Sequence, residues 1–370
     1  MINLRHSLKT GTAHRLFLVI KTANFVELSE EEFAEFVKDI EEDPLFKKLT
    51  CPEDKLRRAV RYKRFPFTDL APHFCEFDEN IACGRGIEGL DSFFADNKKV
   101  IRLIKHLGED RFKNLFLLDE ESLSPDEIAS RCGLTLDDVK EITGFLKRID
   151  VYGEFESYAG RGADFKKRFS KVAAIGIREG GGFVIQFFSV KAARGKYLID
   201  YAKIEKLKRE NFFSDAEKRN LGKIIRNMEL INSRKTMIYR IIEKITRKQN
   251  VYLKSGDTKD IIPFSQKELA ESIDADCSMV CRAVVGRSVE SPLGIEIPLI
   301  DFFPSRKDIV KLRISDILSE EKPYTDEAIR KELKERFNIV ISRRSVASCR
   351  KEMSLPSSFE RMKGKVNKFG

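Results

Sequence analysis

Between Ala216 and Asn250 the apolar residues Leu221, Ile224, Ile225, Met228, Ile231, Ile238, Ile241, Ile242 and Ile245 recur at helical spacing over many turns. A stripe of that period commits this part of the chain to α-helix, and its apolar side must be covered by other elements. At about 1.5 Å per residue, one unbroken helix would span roughly 50 Å, long enough to join one functional block to another. Gly222 leaves open the alternative of two packed helices. The expectation is a mainly α, multi-domain helical protein with helix-turn-helix units, a long connecting helix and one small β-hairpin.

Length and charge set further bounds. With 370 residues there is material for two to four domains, each with its own core. Lys and Arg number 69 against 59 Asp and Glu, a formal charge of +10, which suits a polyanionic partner without naming it. Hydrophobic residues at 42% and charged ones at 35% fit a soluble, globular chain rather than a disordered one. The longest apolar run, Leu16 to Ile20, is too short to cross a membrane and lacks a cleavage site, so a cytoplasmic, nucleoid-associated protein is expected. Seven cysteines without a C-x-x-C pair argue against a disulfide framework and a zinc ribbon. Cys277 and Cys281 lie one helical turn apart with no histidine nearby, so neither metal nor cofactor is expected. Clustered carboxylates or a nucleophile with a base are likewise missing, and the chain is not read as an enzyme.

A helix, tight turn, helix pattern appears three times, and charge separates the copies. The first runs Ser124-Pro125-Asp126-Glu127-Ile128-Ala129, turns at Cys132-Gly133-Leu134 and resumes through Leu136, Val139, Ile142 and Leu146. Its second helix carries Asp137, Asp138 and Glu141, which would repel phosphate, so it is expected to meet protein. The second unit starts at Ser265, turns through Ile273 to Asp276 and resumes at Cys277. There Ser278 and Arg282 lie one turn apart and Arg287 follows, all three able to approach one groove.

The third unit, from Thr325, leads into Ser342-Arg343-Arg344-Ser345-Val346-Ala347-Ser348-Cys349-Arg350-Lys351. Ser342 is placed to cap a helix whose first turn holds two arginines, and Arg343 and Arg344 can fork onto guanine or the backbone. Val346, Cys349 and Met353 fall on the core side. The basic tail Arg361, Lys363, Lys365 and Lys368 suits backbone contact.

That arginine stretch resembles the signature box of bacterial sigma-54 factors, Ala-Arg-Arg-Thr-Val-Ala-Lys-Tyr-Arg-Glu, keeping both arginines, the Val-Ala pair and the later arginine. Residues Glu42-Asp43-Pro44-Leu45-Phe46 resemble the Glu-Asn-Pro-Leu-Leu that closes the family's activator-responsive region, whereas the family's Asp-Pro-Pro-Gly is reduced to Asp150-Val151-Tyr152-Gly153. The resemblance implies a domain order of 1–50 activator-interacting region, 51–86 linker, 87–245 module binding core RNA polymerase, 246–303 helix-turn-helix domain for a downstream promoter element, and 304–370 domain with the arginine box for an upstream element.

By the same resemblance the protein directs core polymerase to promoter DNA with upstream GG and downstream GC elements, and an AAA+ activator ATPase opens the closed complex. Arg343 and Arg344, helped by Ser345 and Arg350, would serve the upstream element. Arg282, with Ser278 and Arg287, would serve the downstream one. Asp137, Asp138 and Glu141 would face polymerase, and Leu16, Phe17 and Leu28 the activator. The alternative is a two-headed DNA-binding repressor without polymerase association. Within the middle block, Val172–Ile177 and Phe183–Phe188 flank Gly180-Gly181-Gly182 as a β-hairpin, since no Gly-Lys-Ser/Thr follows to make a phosphate loop.

Overall fold

The computed structural model describes residues 25–71, 97–118, 123–146, 169–319 and 324–356. The first helix, α1 (Glu30–Glu42), starts at a capping box in which Ser29 and Glu32 satisfy each other's backbone amides, and it buries Phe33, Val37 and Ile40. Asp43 ends it and caps the next, α2 (Pro44–Thr50), whose proline occupies a position needing no amide donor. Helices α3 (Lys98–Leu107), α4 (Pro125–Cys132) and α5 (136–146) follow. Between α4 and α5, Gly133 takes φ 67°, the left-handed conformation that ends helices. The first helix-turn-helix thus forms as the sequence reading expects.

Strands β1 (Val60–Lys63) and β2 (Thr68–Leu70) lie where the sequence suggests a linker. They are four and three residues long, too short to display a period of two, and are held by partners far along the chain. β5 (Lys196–Ile199) pairs antiparallel with β1. The expected hairpin, β3 (Ser170–Ile177) and β4 (Phe183–Phe187), forms with Gly180 and Gly181 at positive φ in its turn. It is not isolated. β2 adds parallel to β4, β6 (Arg287–Glu290) adds parallel to β3, and β7 (Glu296–Pro298) closes a five-stranded sheet ordered β2-β4-β3-β6-β7.

After α6 (Tyr201–Arg209), α7 runs unbroken from Asp215 to Lys248, 34 residues or about 51 Å. Gly222 lies within it without interrupting it, and a Cβ there would meet nothing within 4 Å. Ser214 and Glu217 form another capping box. The two halves of α7 serve different cores. Leu221, Ile224, Met228 and Ile231 pack with α1, α2, β1, β5 and α6. Ile238, Ile241, Ile242 and Ile245 pack with the five-stranded sheet, the first helix-turn-helix and the second one, α8 (Gln266–Ser272) and α9 (Cys277–Val284).

A third core belongs to the C-terminal unit: α10 (Arg306–Ser319), α11 (Asp326–Phe337) and α12 (Arg343–Glu352), around Ile314, Ile317, Ile329, Leu333, Val346 and Cys349. Helix α10 falls inside the 304–370 segment, ahead of the helix-turn-helix pattern that the sequence shows from Thr325. Arg313 on α10, buried, donates to the Thr258 and Lys259 carbonyls and ties the unit to the loop after α7.

Candidate nucleic-acid interface

In the C-terminal unit Thr325 caps α11, accepting from the Ala328 amide at 3.1 Å, and Asn338 at φ 52° ends it. Ser342 then caps α12, its hydroxyl accepting from the Ser345 amide at 3.1 Å and lying 2.9 Å from the Ser345 hydroxyl. Val346 and Cys349 face the core. Arg343, Arg344, Ser345, Ser348 and Lys351 are exposed, so the two guanidiniums stand at the positive end of a capped helix with solvent before them. That is the geometry of a helix that presents its N-terminal residues to base edges.

Arg350 corrects the sequence reading. Its side chain is buried, Nε donates to Asp326 Oδ1 at 2.9 Å, and a terminal nitrogen donates to the Leu355 carbonyl at 2.7 Å. It fastens α12 to the start of α11 rather than facing DNA. On the opposite side Glu352 accepts from Lys307 at 2.6 Å and pairs with Lys311 at 2.9 Å. Those hydrogen bonds, Lys307 first, hold its carboxyl down at about 2. Helix α12 is therefore pinned at its C-terminal end to both neighbours, while its N-terminal end is open.

The second unit has the same logic with a different surround. Ser265 caps α8, accepting from the Glu268 amide at 3.0 Å, and Asp274 at φ 52° makes the turn. Helix α9 buries Val280, Ala283 and Val284. Cys277, Ser278 and Cys281 are exposed, with Arg282 half-exposed beside Glu27 at 3.8 Å. The hairpin β6–β7 follows directly, so this unit is a helix-turn-helix with a β-wing. The sequence reading missed this hairpin, whose turn residues Ser291-Pro292-Leu293-Gly294 could have marked it.

Arg287 is the second correction. Although its sequence position suggests a groove contact, its side chain is 4% exposed and donates to Glu30 at 2.7 Å. Its other nitrogens donate to the carbonyls of Val26, Leu28, Arg282 and Ala283. Arg234, in the middle of α7 and 1% exposed, shares the same Glu30 oxygen at 2.8 Å and donates to the Phe25 and Ser29 carbonyls. Burial, partly offset by Glu30, lowers its pKa to about 10. Sequence reasoning missed Glu30 and Arg234. Together with Arg287 they clamp the segment before α1 between the long helix and the end of α9.

Of the acidic trio, Asp137 is exposed. Asp138 instead accepts from the Thr135 hydroxyl at 2.6 Å, which lowers its pKa, and Lys99 pairs with Glu141 at 2.9 Å and Asp138 at 3.6 Å. Leu28 packs against the α1 core. Leu16, Phe17 and the basic tail from Arg361 to Lys368 lie outside the described residues, as does Asp150 to Gly153. Among the described residues no group of three His, Cys, Asp or Glu side chains could hold a metal, and no helix is long and apolar enough to cross a membrane.

Comparison with known proteins finds relatives for part of this chain. Residues 214–363 match the family described as "Sigma-54, DNA binding domain". The RNA polymerase sigma-54 factor of Bacillus subtilis (strain 168) is 32% identical over 150 residues, 36% of this chain and 34% of that protein. The factor of the same name from Cereibacter sphaeroides is 30% identical over 145 residues, 35% of this chain and 33% of that protein. The aligned segment spans about a third of each relative's length. A crystal structure of Aquifex aeolicus sigmaN bound to promoter DNA overlays 79% of this chain and 99% of that one, at 20% identity and a TM-score of 0.37. The matched stretch contains α7, both basic helix-turn-helix units and the paired arginines, so it is this part of the chain that is similar to the sigma-54 DNA-binding domain.

Proposed function

We propose that this chain is a sigma-54-type transcription initiation factor, which binds core RNA polymerase and positions it on promoters carrying an upstream GG and a downstream GC element. The observation that carries the reading is the exposed Arg343–Arg344 pair in the first turn of α12, on a helix locked at its other end by Asp326, Lys307 and Lys311. Guanine offers two acceptors in the major groove, O6 and N7, and a guanidinium answers both at once. Two adjacent arginines suit two adjacent guanines. Ser345 supports from the same turn.

In the second unit Arg282 and Ser278 serve the downstream element, and Arg282 exchanges its 3.8 Å neighbour Glu27 for DNA. Arg287 and Arg350 set the orientation of these helices from behind. Asp137 on the first unit offers an acidic contact to the polymerase. The residues before α1, including Leu16 and Phe17, and Leu28 at its edge, answer to an AAA+ activator ATPase. No step of bond making falls to this chain: nucleotide addition belongs to the polymerase and ATP hydrolysis to the activator.

An electrophoretic shift with purified core polymerase tests this, using one duplex with GG and GC elements and one with both scrambled. Polymerase-dependent, element-specific binding is expected. Binding by the protein alone, indifferent to polymerase, would replace the reading with a two-headed repressor.

A further inference from the structure

The turn that leads into α12 carries one apolar side chain outward. Helix α11 closes with Asn338 in the left-handed conformation, and the Ile339 amide returns to the Leu333 carbonyl at 2.9 Å, which closes the helix end where the turn begins. Ile339 and Ile341 both pack against the C-terminal core. Val340, between them, is 74% exposed. A single exposed valine is ordinary on any protein surface. This one is set apart by its place, three residues before Arg343 and two before the cap Ser342, on the approach to the end of the helix that meets the groove.

The paired arginines can answer the acceptors of guanine but have nothing to offer an apolar group. The major groove displays one such group, the C5 methyl of thymine, and small apolar side chains are its usual partners. We propose that Val340 reads the C5 methyl of a thymine flanking the GG step, which makes it a specificity-determining residue for the upstream element. This rests on the reading of α12 as the helix that binds GG. Val340 lies only three residues before Arg343, so the base it meets lies close to the GG step.

The test uses the full chain with core polymerase and GG duplexes in which each thymine within about four base pairs of the GG is replaced, one at a time, by deoxyuridine. This change removes the methyl and leaves base pairing intact. At one position wild-type affinity should fall about three- to fourfold, the effect of one buried methyl group. Val340→Ala should bind the thymine duplex that much more weakly and show no further loss with deoxyuridine at that position. Because Val340 is exposed, the variant should keep the wild-type circular dichroism spectrum and melting temperature. The proposal is overturned if no deoxyuridine position affects the wild type, or if Val340→Ala retains the full deoxyuridine penalty. A scrambled-GG duplex run alongside tests the underlying reading separately, since preference for GG can persist while the methyl effect is absent.

Discussion

Removing the carboxylate of Glu30 should strike two buried cations at once. Its Oε1 accepts from Arg234 at 2.8 Å and from Arg287 at 2.7 Å, and those side chains are 1% and 4% exposed. Breaking a buried ion pair by deleting one partner typically costs about 3–5 kcal/mol, because a charge is left buried without compensation. Two features lower that figure here. Glu30 is itself 32% exposed, so water reaches part of the pair, and both guanidiniums keep backbone carbonyl acceptors at Phe25, Ser29, Val26, Leu28 and Ala283. The expectation for Glu30→Gln is therefore a loss of about 2–3 kcal/mol, a large share of the stability of a typical domain. Urea denaturation followed by far-ultraviolet circular dichroism reads it, with exposed Glu53→Gln as a control expected to stay within about 0.5 kcal/mol. The same substitution made on an Arg234→Met, Arg287→Met background should cost little. A Glu30→Gln loss no greater than the Glu53 control, or an equal loss on the double-methionine background, would refute the shared-carboxylate account.

The other expectations concern which cations face inward and which face outward. Arg350→Ala should destabilise the C-terminal unit by about 2–4 kcal/mol by leaving Asp326 unpaired, and weaken GG and scrambled duplexes alike; a GG-selective loss in an otherwise stable variant would contradict its inward role. Arg282→Ala should lower affinity for the GC element with little change in melting temperature, whereas Arg287→Ala should lower the melting temperature. The reverse pattern would exchange their roles. Lys235, 5% exposed, donates to the Lys191 and Gly195 carbonyls, and burial pulls its pKa from 10.5 to about 8. Between about pH 8 and pH 10 the unfolded chain holds a proton that the folded chain has released. Stability should therefore climb with pH across that window by up to roughly 3 kcal/mol, and Lys235→Met should flatten the climb in pH-dependent urea titrations.

What could be read in advance was local. Leu221 to Ile245 declare α7 because twenty-five residues of one period leave little choice, and Ser124, Ser265 and Ser342 cap the helices their positions suggest. The triple glycine marks the β3–β4 turn for the same reason, since Gly180 and Gly181 need positive φ. Long-range pairing left no such trace. Strands β1 and β2 hide in a charged, proline-bearing stretch because their partners, β5 and β4, lie more than a hundred residues on. The arginines were the hardest to sort. Arg343 and Arg350 sit on the same short helix with the same charge, and what separates them is Asp326 across the core. Arg287 is taken inward by Glu30, which lies 257 positions earlier in the chain. A sequence displays the cation but not the carboxylate that claims it.

The central claim is that Arg344 stands free at the head of α12 to read guanine, and the ratio of affinities for GG and scrambled duplexes tests it most directly. Measured by fluorescence anisotropy with core polymerase at fixed salt, Arg344→Ala should lose about 1–3 kcal/mol on the GG duplex and far less on the scrambled one, collapsing the ratio. An equal loss on both duplexes would reduce Arg344 to a phosphate contact and contradict the account.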